Sequence, residues 1–250
     1  MAMMDKIERL AGRFRVKYQL NDLKVSLDLE RLLEKMDILL FKKPLSEGIS
    51  GGFFKVDLER VILVNTTKTI GRQNFSIAHE LYHAEYSLDM KSVLCNTGSS
   101  LDTSGNEEEK KADMFASALL MPREGIDRNI AEIQKEELET VKPETVVWLE
   151  NIYKVSHLAM CWRLHNLDYI DRITRETYAG VKVTQIAEKM NLSTDIYRNT
   201  NETKISDKFL ILLDTLRRYN RITTQKYSEV FQQVGCFRDC EDFPQNDEDD

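Results

Sequence analysis

Phe75-Ser-Ile-Ala-His79-Glu80-Leu-Tyr-His83-Ala-Glu-Tyr86 is the stretch on which the reading of this chain turns, because it contains His-Glu-x-x-His. Residues four apart on an α-helix lie on one face, one turn above the other. His79 and His83 can therefore aim two imidazole nitrogens at a single cation. Glu80 stands beside the first of them, within reach of a water on that cation. Neutral imidazole suits zinc, and such an ion brings its water toward a pKa of about 7. A carboxylate next to that water can take its proton and later hand it to a leaving amine. This is the arrangement of zinc-dependent peptidases, with the glutamate as general base. Phe75, Ala78, Leu81 and Tyr82 supply the apolar face that a buried helix needs.

A catalytic zinc usually has three protein ligands and a water. Asp89 stands where a short-spaced third ligand would fall, but Tyr86 replaces the Gly that such a turn uses. The stronger source is Glu107-Glu-Glu109-Lys-Lys-Ala112-Asp113-Met-Phe115-Ala116-Ser-Ala-Leu119-Leu120-Met121-Pro122. Ala112, Phe115, Ala116 and Leu119 follow helical spacing as a buried stripe, and Glu109 extends it toward the N-terminus. A carboxylate on a buried face needs a partner, and a metal would be one. Acidic residues also favour a helix's first turn, and Ser104 with Glu107 reads as a capping box. Capping is therefore assigned to Glu107 and the metal to Glu109, with Glu108 and Asp89 as the other possible ligands. Asp113, one turn past Glu109, either accepts the free ring N–H of a ligand histidine or faces solvent.

These two segments together resemble the ImmA/IrrE family of metallopeptidases. The likeness lies in Asn74-Phe-Ser-Ile-Ala-His-Glu-Leu-Tyr-His83 and in Glu109-x-x-Ala112-Asp113-x-Phe115-Ala116 ending in Leu119-Leu120-Met121-Pro122. It continues in Val155-Ser156-x-x-Ala159-Met-x-x-Arg163-Leu164-x-x-Leu167 and covers roughly residues 25 to 168. Tyr82 departs from the family, many of whose members have Gly before the second His, and the departure bears on substrate fit. The resemblance implies a protein substrate, often a helix-turn-helix repressor of a phage or mobile element, whose cleavage releases transcription.

The 250 residues allow one large or two modest domains, and the hydrophobic content of 42% is enough for a core. A formal charge of −7 argues against nucleic-acid binding through bulk charge. The sequence has no signal-peptide core and no apolar run long enough to span a bilayer, so the expectation is a soluble, cytoplasmic protein with no membrane partner. Four cysteines, at 95, 161, 236 and 240, are few and irregularly spaced. They read as ordinary free thiols in a reducing compartment. Cys236-x-x-x-Cys240 has no second pair to complete a metal site.

Ile7, Leu10, Phe14 and Tyr18 mark an amphipathic first helix. Ser26 or Asp28 can cap a second, running through Met36. Ile38–Phe41, Gly52–Val56 and Val61–Val64 are strand-like runs punctuated by Pro44, Gly48, Gly51 and Asp57. They predict a sheet of about three strands feeding the His-Glu-x-x-His helix. In zinc peptidases resembling this one, a strand edge beside the metal holds the substrate backbone. Ser87 to Asn106 is small and polar and reads as a loop rimming the site. Further helices are expected over Glu124–Glu139, Glu144–Lys154 and His157–Asn166. His157 and His165 are candidates for a second proton donor, or else ordinary structural histidines.

Val183 to Arg198 has the outline of a helix-turn-helix, with Ala187 at the helix contact and Asn191 at the turn. Residues 182–226 carry nine Lys or Arg against five Asp or Glu. Lys189 and Arg198 are thus candidate DNA contacts, although two short helices packed on a neighbour would look the same. Phe209–Tyr219 is an apolar helix with Leu210, Leu213, Leu216 and Tyr219 expected inside, and Thr223–Val234 looks like one more. The last twelve residues contain seven acids and read as a disordered tail.

The fold expected is α+β: a small sheet packed on helices with a zincin-like helix, then a helical C-terminal region. The divisions are 1–168 for the metallopeptidase domain, 169–238 for the helical region and 239–250 for the tail. The function expected is a zinc-dependent endopeptidase with His79, His83 and Glu109 on Zn2+ and Glu80 as base. The alternative is a zinc-bearing regulatory protein that relieves repression by binding the repressor or DNA without cutting.

Overall fold

The computed structural model describes residues 2–87, 92–96, 107–133 and 141–234. In chain order the elements are α1 (Ala2–Lys17), α2 (Leu29–Lys35), β1 (Ile38–Lys43), β2 (Ile49–Val56), β3 (Glu59–Asn65) and α3 (Ile70–Tyr86). Next are β4 (Ser92–Asn96), α4 (Glu107–Leu120), α5 (Arg123–Ile133), α6 (Pro143–Tyr153), α7 (His157–Asn166) and α8 (Arg172–Tyr178). Last come α9 (Val183–Lys189), a 3-10 turn at Asp195–Tyr197, β5 (Lys204–Ile205), α10 (Asp207–Arg218) and α11 (Thr224–Val234). The α+β class expected from sequence is the one observed.

The sheet has five strands in the order β4-β2-β3-β1-β5, so the expectation of about three is corrected. Its centre is the trio read from sequence. Branched and aromatic side chains fit a pleated, half-buried surface, and β1, β2 and β3 carry Ile38-Leu-Leu-Phe41, Phe53-Phe54 and Val61-Ile-Leu-Val64. β1 runs parallel to β3 and β2 antiparallel to it, with Leu40 and Phe53 both opposite Ile62. The two added strands are short. β4 lies inside the stretch read as a loop and pairs antiparallel with β2. Val93-Leu94-Cys95 is too brief a run to signal a strand, and the pairing that makes it one comes from more than forty residues upstream. β5, only two residues long, pairs with β1.

β3 ends on a polar hub. The Asn65 side chain is fully buried. Its Oδ1 accepts from the Leu45 and Thr67 backbone N–H groups at 3.0 Å, and its Nδ2 donates to Ile49 O at 2.7 Å. One side chain thus ties the β1–β2 loop to the segment that enters α3. The start of α3 is fixed again at Gly71. A Cβ there would lie 2.6 Å from the Val155 carbonyl carbon and the Ser156 N, so only glycine admits the turn before α7 this closely. Ser156 caps α7, accepting from Ala159 N at 3.4 Å.

α3 is buried continuously from Ser76 to His83. It packs between the sheet on one side and α4 on the other, with α1 laid over α4. Phe14 meets Phe115 edge to face at 5.4 Å between ring centres, and the buried Arg15 guanidinium donates to Leu119 O at 2.7 Å. Tyr82 lies in this layer, 5.7 Å from the Phe115 ring and 5.5 Å from Tyr86. Its side chain belongs to the α3–α4 contact, so the expectation that it bears on substrate fit gives way to a packing role.

The C-terminal segment departs from the helix-turn-helix outline. Asn191 does make the turn, in the left-handed region at φ 55°. The element after it is a single 3-10 turn, not a second α-helix. Tyr197 of that turn donates to the buried Glu150 carboxylate at 2.7 Å, and Ile70 N donates to Arg198 O at 2.9 Å, so the chain is drawn inward to α6 and α3. On α10 only Leu213 is buried; Tyr219, expected inside, is 71% exposed. The helix expected over 124–139 is observed over Arg123–Ile133; residues 134–140, the expected tail at 239–250, Cys236, Cys240, Asp89 and Ser104 lie outside the described residues. No helix among the described residues is long and apolar enough to cross a membrane.

Candidate metal centre

α3 presents His79 and His83 one turn apart with their Nε2 atoms 3.3 Å from each other. α4 runs alongside and brings in Glu109, whose Oε2 lies 3.1 Å from His79 Nε2 and whose Oε1 lies 3.4 Å from His83 Nε2. Zinc–nitrogen and zinc–oxygen bonds of about 2.0–2.2 Å at tetrahedral angles place neighbouring ligand atoms about 3.3–3.5 Å apart. The three donors therefore stand close to the edge lengths of a tetrahedron around one ion. His79, His83, Glu109 and Cys95 together form a group that could hold a metal, their ligand atoms all within 4.8 Å of one another.

Each imidazole is held from behind. Asp113 Oδ1 lies 2.8 Å from His79 Nδ1, the position of an acceptor for that ring N–H. Ser87 Oγ lies 3.2 Å from His83 Nδ1. Such partners fix the tautomer and turn the other nitrogen toward a metal. Ser87 went unremarked in the sequence, although it falls four residues after His83 on the same helical face.

The charges follow from this crowding. Burial pulls the His79 imidazole down, but hydrogen bonds with Asp113, Cys95 and Glu109 outweigh it and hold the ring well above its ordinary pKa. The hydrogen bonds from His79 and His83 hold the Glu109 carboxyl well below the usual carboxylate range. Burial pushes Asp113 up, opposed by its bond to His79. A divalent ion at this point would satisfy the same acceptors.

Glu80 is the odd member. It is fully buried, yet among the described residues neither of its carboxylate oxygens has a hydrogen-bond partner. Burial raises its pKa, partly offset by His79, the Cys95 thiol and His83. A buried charged oxygen without a donor costs free energy. Gly51 of β2 faces it: a Cβ there would sit 3.6 Å from Glu80 Oε1 and 2.7 Å from Leu63 O. Glycine thus leaves the carboxylate looking at open backbone beside the metal ligands.

Of the sequence-predicted site residues, the fold brings together His79, Glu80, His83, Glu109 and Asp113. Glu108 faces elsewhere, its Oε2 accepting from Tyr82 OH at 3.1 Å and its Oε1 pairing with Lys111. His157 and His165 are not in the cluster. His157 is bonded to Glu150 and lies 2.7 Å from Tyr178 O, and His165 lies 3.1 Å from Ile170 O. Lys189 and Arg198 are exposed on the C-terminal segment, away from this group. Besides Ser87, sequence reasoning missed Cys95 of β4 as a candidate ligand. Its Sγ lies 3.4 Å from His79 Nε2 and 3.7 Å from Glu109 Oε2. No spacing rule links it to the other ligands; only the pairing of β4 with β2 carries it there.

No curated protein matches the chain. A family model does, over residues 33–165, more than half of the length: the IrrE N-terminal-like domain, peptidase family M78. With both ligand helices and the Ser156 cap inside that span, the chain belongs to the IrrE-like family of metallopeptidases.

Proposed function

We propose that this protein is a zinc-dependent endopeptidase. The observation that carries the reading is the convergence of two imidazoles and one carboxylate from α3 and α4 at 3.1 to 3.4 Å, beside a buried Glu80 with no hydrogen-bond partner among the described residues. Zinc suits a donor set of neutral nitrogen, carboxylate oxygen and thiol better than magnesium or calcium, which prefer oxygen. Held there, zinc would acidify a water and polarise a peptide carbonyl.

The rest is the work of this chain's side chains. His79, His83 and Glu109 would hold the ion, and Asp113 and Ser87, bonded to the far nitrogens, would keep both rings turned toward it. Glu80, too buried for bulk solvent to satisfy, takes the proton from the attacking water and delivers it to the departing amine. β4, at the sheet edge beside this group, pairs on one side only among the described residues. An extended substrate segment can add to its outer side by backbone hydrogen bonding, which would lay a peptide bond near Glu80.

Family membership points to a helix-turn-helix repressor as the substrate, with derepression as the result. Incubating the purified protein with zinc and the repressor encoded beside it, and reading fragments by mass spectrometry, tests this. Cleavage by the wild type and none by Glu80→Gln supports the peptidase. Release of the repressor from its operator by both proteins, with no fragments, would instead favour a regulator that acts by binding.

A further inference from the structure

We propose that Cys95 is a fourth protein ligand, and that the resting centre is closed: His79, His83, Glu109 and the Cys95 thiolate surround the metal, and the water's position opens only when the thiolate leaves. This rests on the metal-centre reading above and adds a latch to it.

Geometry carries the inference. A zinc–sulfur bond of about 2.3 Å beside bonds of about 2.0–2.2 Å puts sulfur about 3.5 Å from each neighbouring ligand atom in a tetrahedron. Cys95 Sγ stands 3.4 Å from His79 Nε2 and 3.7 Å from Glu109 Oε2. Catalytic zinc sites keep one position open, whereas four protein ligands make a closed, structural site. Here the fourth donor would occupy the place the water needs, while the carboxylate that would act on that water stays buried and, among the described residues, without a hydrogen-bond partner. Glu80 is oriented for a reaction that a closed centre would not perform.

The backbone shows how one residue can serve both states. The β2–β4 register shifts between Ile49 and Gly51, opposite Asn96 and Cys95. The extra residue is Ser50 of β2, so the ladder is interrupted on the strand facing Cys95, and bulges concentrate beside active sites. Cys95 lies opposite Gly51, so both face the side on which Glu80 lies. It also sits one residue from the end of a strand that, among the described residues, pairs on one side only. A substrate strand adding to β4 would move the sulfur directly. On closing, the thiol would lose its proton to solvent, the water would leave, and a sulfur–metal bond would form in its place. On opening, that bond would break, the sulfur would regain a proton, and water would return.

The test uses the full chain, wild type and Cys95→Ser, loaded with cobalt(II) or zinc. Cobalt-loaded wild type is expected to show an intense near-ultraviolet thiolate-to-cobalt band that Cys95→Ser lacks. Chelator competition should show zinc held at least about tenfold more weakly by Cys95→Ser. Zinc should shield the Cys95 peptide from iodoacetamide in wild type. Acetohydroxamate, a small chelating probe of an open position, should bind zinc-loaded Cys95→Ser more tightly than wild type. Cobalt uptake with superimposable spectra overturns the thiolate ligand and leaves a three-ligand centre standing. A thiolate band with equal acetohydroxamate affinity overturns the latch. No uptake by either protein overturns the metal centre and this inference together.

Discussion

Two buried clusters in this protein are built from the same residue types and differ in how completely they are satisfied. On α3 and α4, His79, His83, Glu109, Asp113, Cys95 and Glu80 crowd around one point. On α6 and α7, His157, Glu150 and Cys161 gather with Tyr197. In the second cluster nothing is left over. His157 Nδ1 meets one Glu150 oxygen, Tyr197 OH donates to the other at 2.7 Å, and His157 Nε2 lies 2.7 Å from Tyr178 O. In the first, four ligand atoms lie within 4.8 Å of one another, and among the described residues a fully buried glutamate has no hydrogen-bond partner. A saturated network holds elements together; a convergent, unsaturated one is arranged for something that comes and goes. The difference separates a clamp from a site although both contain His, Glu and Cys.

The largest effect that would break this contrast is at Glu80. Glu80→Gln keeps the volume and removes the base, so proteolysis should fall by about 10²- to 10⁴-fold while zinc content by metal analysis stays at the wild-type level. Equal rates for the two proteins would give Glu80 a purely structural role, like that of Glu150. Next in size is Glu150→Ala. Removing one partner of a buried charged pair costs about 3–5 kcal/mol, which urea denaturation would read, and zinc affinity should be unchanged. A matching loss of zinc would mean that the two clusters are one coupled unit.

How much of this could be read from residues alone depends on the range of the interactions. The His79, Glu80 and His83 arrangement is local to one helix and is written in a four-residue spacing. Glu109 required a second helix, but its own stripe of Ala112, Phe115, Ala116 and Leu119 oriented it. Strands β1, β2 and β3 announced themselves through branched residues. Cys95 did not, because its presence depends on β4 pairing with residues 49 to 54, and Val93-Leu94-Cys95 carries no period. β5 is likewise two residues that become a strand only against β1. The helix after Asn191 was expected from outline; Tyr197 ending on buried Glu150 is a long-range contact with no local signature. Tyr219 was expected inside from helical spacing, yet α10 and α11 enclose only a small core around Leu213, Tyr227 and Phe231.

A finer comparison concerns the orienting partners. Asp113 and Glu150 both face a histidine Nδ1, but only Asp113 stands behind a ring whose other nitrogen points at the metal position. Asp113→Asn should weaken zinc by about 10- to 100-fold, the usual cost of losing such a partner, as read by competition with a chromophoric chelator. The fold should hardly change, since Asn fills the same space. If Asp113→Asn binds zinc as tightly as wild type, the bond at 2.8 Å serves packing, and the two clusters are more alike than the geometry implies.

A last comparison is one of pH, and it belongs to the saturated cluster. Burial lowers the affinity of His157 for its proton, but the bonds with Cys161 and Glu150 prevail and push it up to about 10. Unfolded, the ring has a pKa of about 6.5. A folded pKa raised above the unfolded one contributes stability that is fully present below about pH 6.5 and is lost as pH rises toward 10. One proton limits the slope to about 1.4 kcal/mol per pH unit. Wild type should therefore lose stability between pH 7 and 9 relative to His157→Gln, which has no proton to lose there, and urea midpoints at several pH values would show it. Parallel pH profiles for the two proteins would mean that the Glu150–His157 contact is held without the charge that the bonds with Cys161 and Glu150 imply. Its resemblance to a clamp would then rest on Tyr197 alone.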